Sequence, residues 1–191
     1  MSSNHVYAKE IDSFYVVFPY MDHDLTGLLG NPAVKFTTQQ IKYYMVEILK
    51  GISYLHSKKL LHRDIKSSNI LLNNDGAVKL ADFGLAQQYC EIRKEYTPGV
   101  VTQWYRSPEL LFGATAYTSA VDMWGIGCIF GEFFRRSPIF NGKSEIDQLE
   151  LICEMCGTPS EENWPGVSKL PNFATLNLTF NKRRVKEHFL K

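Results

Sequence analysis

One short run limits what this chain can be more than any other: His62, Arg63, Asp64, Ile65, Lys66, Ser67, Ser68 and Asn69, which spell HRDIKSSN. Eighteen positions after Asp64 comes Asp82, followed by Phe83 and Gly84. Two strand-like runs lie between them, Ile70 to Leu72 and 77–81, joined by Asn73, Asn74, Asp75 and Gly76. Asn, Asp and Gly accept the tight backbone of a short turn, so the stretch predicts a hairpin. Alone, Asp64 and Lys66 read as a surface ion pair and Asp82 as the start of a turn. In this order and at this spacing they read as parts of one site.

The residue types point to phosphoryl transfer. That reaction needs a carboxylate to orient and deprotonate an acceptor hydroxyl, a cation near the moving phosphate, and hard oxygen ligands for magnesium. Asp64, Lys66, and the pair Asn69 and Asp82 supply these in turn.

The 191 residues fit one domain, or most of one, and suffice for a real core. A formal net charge of +1 gives no global field for nucleic acid or an acidic membrane. Nothing at the N-terminus resembles a secretory signal, so the four cysteines, Cys90, Cys128, Cys153 and Cys156, are expected as reduced thiols inside the cell. Cys153 and Cys156 form a C-x-x-C with no second pair and no thioredoxin-like strand before it, which predicts helix packing rather than a metal or redox site.

Along the chain, a polar lead is followed by 14–18, an aromatic and β-branched run that predicts a buried strand. Pro19, Tyr20 and Met21 then predict a short extended connector. Thr37 and Gln40 have capping-box spacing, and Ile41, Tyr44, Ile48, Ile52 and Leu55 follow at helical spacing to about residue 56. Residues 87–103 hold Pro98 and Gly99 and predict a long irregular loop. Ser119 is the expected cap of a core helix from 120 to about 134, apolar on nearly every face but carrying Asp122, which must find partners. A last clear helix has Ser144 as cap, Asp147 at the box position, Ile146, Leu149 and Ile152 inward, and Gly157 and Pro159 as a stop. Trp164, Pro165, Leu170, Pro171 and Phe173 read as apolar anchors of a loop. The run Lys182, Arg183, Arg184 and Lys186 reads as a solvated face, with a nuclear-import or nucleic-acid patch as the alternative.

With these residues in view, the chain resembles a protein kinase and, among kinases, a cyclin-dependent kinase. The likeness runs from about Phe14 to the end and includes YVVFPYMDHDLTGLL, KLADFGLA, YTPGVVTQWYRSPELL, AVDMWGIGCIF and CGTPSEENWP. The MDHDL and HRDIK wording is most similar to the transcriptional branch, whose members phosphorylate the C-terminal tail of RNA polymerase II. The resemblance implies a kinase-like C-terminal lobe, mainly α-helical with short β-strands and a β-hairpin near the active site, with 14–24 as the last small-lobe strand and hinge. It implies ATP and Mg2+ as cofactors, a cyclin partner, Ser-Pro or Thr-Pro targets and a nuclear location, with neither direct nucleic-acid binding nor a membrane.

Residue by residue, the resemblance makes Asp64 and Lys66 catalytic and Asn69 and Asp82 metal-binding. Phe18 would guard the adenine pocket, the backbone of Pro19 and Met21 would bond the adenine, Asp24 would face the ribose, and Leu71 would floor the pocket. His62 and Phe83 would stack between the lobes, and Asp122 would bond the backbone of the HRD turn. Thr97 would be the activation phosphosite, with Arg63 as its charge partner. Val100 and Arg106 would shape the pocket for the substrate proline.

Some family features are replaced or missing. Gln87 stands where the family usually has an arginine, and Pro98 follows Thr97. Before Phe14 there is neither a Gly-rich phosphate loop nor a V-A-I-K lysine, and Lys9 and Glu10 are no substitute. Glu109 lacks its usual later arginine, for which Arg183 and Arg184 come too early. Two readings follow: a cyclin-dependent-type serine/threonine kinase whose present chain has little activity by itself, or a non-catalytic kinase-lobe fragment that acts as a decoy or scaffold.

Overall fold

The helix that the capping box predicts is the frame of the molecule. In this computed structural model, whose described residues are 7–10, 13–89 and 102–190, it is α2 (Thr38–Ser57). Its first turn is closed from both sides: Thr37 Oγ1 accepts from Gln40 N at 3.2 Å, and Gln40 Oε1 accepts from Thr37 N at 2.8 Å. Ile41, Ile48, Ile52 and Leu55 form its buried stripe, the spacing of one helical face. Just before it, α1 (Leu25–Gly30) starts on Asp24, whose Oδ1 accepts from Gly27 N.

Past α2 the chain turns through Lys59, which has a φ of 57°, into β4 (Leu60–Leu61). The predicted hairpin follows as β5 (Ile70–Leu72) and β6 (Val78–Leu80), antiparallel, with Leu71 opposite Lys79. Gly76 takes the left-handed φ of 86° that the turn requires. The short strand β3 (His23–Asp24) adds to the other edge, so the sheet order is β3-β5-β6 and Asp24 lies opposite Leu71. A second small ladder pairs β4 with β7 (Gln87–Gln88).

Near the start of the chain the structure departs from the expected single buried strand. Tyr7–Glu10 and Ser13–Val16 form an antiparallel pair, β1 and β2, so Lys9 and Glu10 of the polar lead are themselves in a strand. The strand also ends at Val16, and Val16, Val17 and Phe18 are 50%, 58% and 70% exposed. Two strands alone offer no second layer, and no described element covers these side chains.

Three further helices complete the body. α3 (Pro108–Leu111) is a single turn, and α4 (Ala120–Arg135) and α5 (Glu145–Cys156) are longer. Ser119 does not cap α4: its backbone is already helical and its side chain bonds no helix amide. Nor is α4 buried on every face. Val121, Ile126, Ile129 and Phe133 point inward, while Met123, Phe130 and Phe134 are about half exposed. In α5, Ser144 Oγ accepts from Asp147 N as expected, but Asp147 Oδ2 accepts from Lys143 N instead of the Ser144 amide. Leu149 and Ile152 are buried, whereas Ile146 is 55% exposed. The inward stripe runs through Gln148, Leu149, Ile152, Cys153 and Met155, and Ile146 falls just beyond its edge.

Gly157 ends α5 with a φ of 89°, and the following loop folds back. Trp164 and Phe173 place their rings 6.1 and 5.4 Å from that of the fully buried Phe112. Lys182, Arg183 and Arg184 are exposed ahead of the short α6 (Val185–Phe189), a solvated face. Cys128 and Cys153 are buried, Cys156 is half-buried, and all three thiols are free. Burial pushes the Cys153 thiol up to about 11, in keeping with packing rather than reactivity. Among the described residues there is no cluster of three or more His, Cys, Asp or Glu side chains able to hold a metal, and no helix is long and apolar enough to cross a membrane. Cys90 lies outside the described residues.

Candidate active site

The loop after β4 turns sharply, and the sharpness has a visible support. Arg63 sits at a φ of 63°, a backbone state that costs a non-glycine residue energy. Asp122, 1% exposed inside α4, holds it there: Oδ2 accepts from His62 N at 3.0 Å and Oδ1 from Arg63 N at 2.8 Å. His56 Nε2 bonds the same carboxylate at 2.7 Å. A carboxylate in an apolar helix therefore has the partners it needs.

The ring of His62 links this turn to the segment around Asp82. Burial lowers its pKa despite the nearby Asp122 carboxylate, so the ring is neutral. Nε2–H donates to Ala81 O at 3.0 Å, and Nδ1 accepts from Asp64 N at 3.3 Å. Phe83 lies against the ring at 5.0 Å between centroids, tilted by 50°. The backbone adds a tie, because Ala81 N donates to Asn69 O at 2.9 Å. Asp82 follows at a φ of 62°, with Oδ1 accepting from Gly84 N.

Asp64 lies at the centre of the site. Its Oδ2 accepts from Lys66 Nζ at 2.7 Å and from Asn69 Nδ2 at 3.2 Å. Its Oδ1 accepts from Thr102 Oγ1 at 3.1 Å and from Thr102 N at 3.3 Å. Burial pushes the carboxyl pKa up, but Lys66 and Thr102 outweigh it and hold the group below its ordinary value. Lys66 Nζ also donates to Thr102 Oγ1, which closes a triangle of three side chains. Thr102 was not singled out from the sequence; its only signal was membership of the segment YTPGVVTQWYRSPELL.

Asn69 and Asp82 fit a magnesium site. The Asn69 Nδ2 group is committed to Asp64, at 2.9 Å from its carbonyl, which leaves the amide oxygen as a ligand. Asp82 is exposed and keeps a second carboxylate oxygen beside the one that Gly84 binds. Magnesium is ordinarily held by one or two such side chains together with phosphate oxygens and water, so a small donor set is the right one.

The other expected positions fall into groups. Asp24 and Leu71 face each other across a strand pair, with Pro19 and Met21 in the extended connector just before β3 and Phe18 open to solvent. Arg63 directs its guanidinium to Leu85 O (2.8 Å) and Tyr117 Oη (3.1 Å). Arg106 is 8% exposed and forms an ion pair with Glu145. Thr97, Pro98 and Val100 lie outside the described residues. Burial raises the pKa of Glu109, and no cationic side chain pairs with it among the described residues.

Fold and site together define a protein kinase. The family model described as the protein kinase domain matches residues 4–184, and the chain belongs to that family. Within it, the chain stands with the cyclin-dependent kinases of the transcriptional branch. It is 53% identical over 175 residues to Cyclin-dependent kinase C-2 of Arabidopsis thaliana, covering 91% of this chain and 34% of the relative. It is 51% identical over 170 residues to Serine/threonine-protein kinase bur1 of Emericella nidulans, covering 83% and 31%. The chain thus spans about a third of the length of these relatives. The crystal structure of the yeast RNA Pol II CTD kinase CTDK-1 complex superposes with a TM-score of 0.91 at 39% identity, covering 99% of this chain and 65% of that one.

Proposed function

We propose that this chain is the large-lobe part of a cyclin-dependent serine/threonine kinase that moves the γ-phosphate of ATP to Ser-Pro and Thr-Pro sites, such as those of the RNA polymerase II C-terminal tail. The arrangement around Asp64 carries this reading: a buried carboxylate held ionised by Lys66, with Asn69 and Thr102 fixing its direction. A carboxyl below its ordinary pKa is a weak base, so Asp64 orients the acceptor hydroxyl and takes its proton late. That suits a loose transition state in which the attacking oxygen bonds little before the phosphoryl group has left.

In this reading, Asn69 and Asp82 hold Mg2+, which draws charge from the phosphate oxygens when bound. Lys66 neutralises the moving phosphoryl group. Phe18, Pro19, Met21, Asp24 and Leu71 line the nucleotide site, and Val100 and Arg106 favour proline after the phosphoacceptor. Phosphate on Thr97 would pair with Arg63, in competition with the Leu85 carbonyl and the Tyr117 hydroxyl that its side chain already meets. A cyclin is the expected partner and the nucleus the expected location, as for a transcription-linked kinase.

A second reading of these 191 residues by themselves is a docking lobe that binds substrate without turning it over. The purified chain with Mg-ATP and a Ser-Pro peptide is expected to transfer phosphate at background. Turnover above background that Asp64→Asn abolishes would show that these residues suffice and would remove the second reading.

A further inference from the structure

Thr97, Ser107, Ser137 and Thr158 each stand immediately before a proline. Thr97 lies outside the described residues. Ser107 is 1% exposed, which closes it to another protein. Thr158 is half-buried and its hydroxyl is committed, donating to Thr179 O at 2.8 Å and accepting from Asn181 N at 2.8 Å. Ser137 differs from both, because it is exposed in the loop that leaves α4. Pro138 holds it out of the helical region, in the extended form that a segment takes along another protein's cleft.

Arg135 and Arg136 come directly before Ser137, and among the described residues both guanidinium groups meet backbone carbonyls. Arg135 Nη1 lies 3.5 Å from Ile139 O. Arg136 ends α4 with a φ of 60°, and its Nη2 donates to Leu28 O at 3.2 Å and to Asn31 O at 2.7 Å. Those carbonyls belong to the C-terminal end of α1, which has no basic residue in its own last turn. The partial negative charge of a helix C-terminus favours a cation, and Arg136 supplies it from a distant part of the chain. α1 in turn touches the site: Asp24 caps it, and Thr26 within it bonds Ser67 Oγ at 2.9 Å, next to Lys66.

We propose that Ser137 is a modification site for a proline-directed kinase, and that its phosphate draws Arg136 away from α1. In the transfer, Ser137 Oγ bonds the γ-phosphorus of ATP as the bond from that phosphorus to the β,γ-bridging oxygen breaks. ADP leaves, and the hydroxyl proton passes to the modifying enzyme's base. The new phosphate stands just past the C-terminus of α4, where helix carbonyls repel an anion, so it needs cations beside it. Arg135 and Arg136 are its sequence neighbours. A guanidinium bonds a phosphate more strongly than a neutral carbonyl, so Arg136 leaves Leu28 O and Asn31 O to water and α1 loosens.

The test treats the purified 191-residue chain with Mg-ATP and a mitogen-activated protein kinase, maps the phosphate by mass spectrometry, and follows hydrogen exchange of the amides of 25–33. Phosphate is expected at Ser137 of the folded chain, and the mapped phosphopeptide is expected to vanish in Ser137→Ala. Exchange in α1 should then be roughly tenfold faster than in the unmodified chain. Arg136→Gly removes the guanidinium and suits the left-handed backbone, so it should speed exchange to a similar degree without phosphate. In that variant, modification should add nothing more. A folded chain that takes no phosphate at Ser137 would overturn the site. Phosphate that leaves α1 exchange unchanged, or speeds it as much in Arg136→Gly as in the wild type, would overturn the part given to Arg136.

Discussion

Two carboxylates of this site are buried, and each has partners that compensate the lost water. Asp122 is ionisable and 1% exposed, yet it receives two backbone amides and a histidine ring. Asp64 is 5% exposed and has its carboxyl below the ordinary value. The sign of its effect on stability follows from linkage. A carboxyl that is more acidic when folded binds its proton less readily in the native state than in the unfolded chain. Its stabilising contribution is complete above the unfolded carboxyl pKa, about 4, and is lost as pH falls through the lower folded value. Urea denaturation of the wild type and of Asp64→Asn should therefore show a stability gap that narrows between about pH 5 and pH 3. A gap constant over that range would mean that Lys66 and Thr102 do not set the ionisation of Asp64.

Elements matter here through close approach as much as through length. α4 packs its Gly125 against the loop that carries Asp64 so tightly that a Cβ there would stand 2.8 Å from Ile65 O and 3.0 Å from the Ile65 side chain. Two residues on, Gly127 has nothing within 4 Å of the same position. Gly125→Ala is expected to destabilise by about 1–3 kcal/mol, because the obstacle is backbone one residue from Asp64. Gly127→Ala should be neutral or stabilise by about 0.5–1 kcal/mol through helix propensity alone. Chemical denaturation of the two variants separates close packing from propensity, and equal effects would contradict the tight fit of α4 on the loop.

The same elements show what could be read in advance. α2 was legible because cap and stripe are local: Thr37 and Gln40 are three residues apart, and the buried positions repeat at helical spacing. The β5–β6 hairpin was legible from its turn residues for the same reason. The exposed face of α4 was not, because an apolar sequence does not say which side finds neighbours. The extra strand β1 was hidden for a related reason, since a polar lead can pair through its backbone whatever its side chains. Within the site, Asp64, Lys66, Asn69 and Asp82 stood out as a short motif pair, whereas Thr102 and Glu145 meet their partners across 38 and 39 residues of chain. Contacts of that range leave no periodic mark.

At the scale of the whole molecule, two groups of apolar side chains stand exposed. Val16, Val17, Phe18 and Tyr20 form one. Met123, Phe130 and Phe134 of α4 form the other with Phe189, the rings of Phe134 and Phe189 being 6.4 Å apart. Patches of this kind ordinarily mark surfaces meant to be covered. The residues proposed for catalysis gather at one end of the β5–β6 hairpin, where the loop of Asp64 and the Asp82 segment meet through His62 and Asn69. We propose that this end of the hairpin is a working half of a kinase active site.

The most direct test supplies the other half. Residues 14–190 would replace the matching segment of Cyclin-dependent kinase C-2 of Arabidopsis thaliana, and the chimera, bound to that kinase's own cyclin, would be assayed for transfer of the ATP γ-phosphate to a Ser-Pro peptide. Transfer that Asp64→Asn lowers by at least roughly a hundredfold is the predicted result. A folded chimera that binds Mg-ATP yet shows no Asp64-dependent transfer would contradict the account.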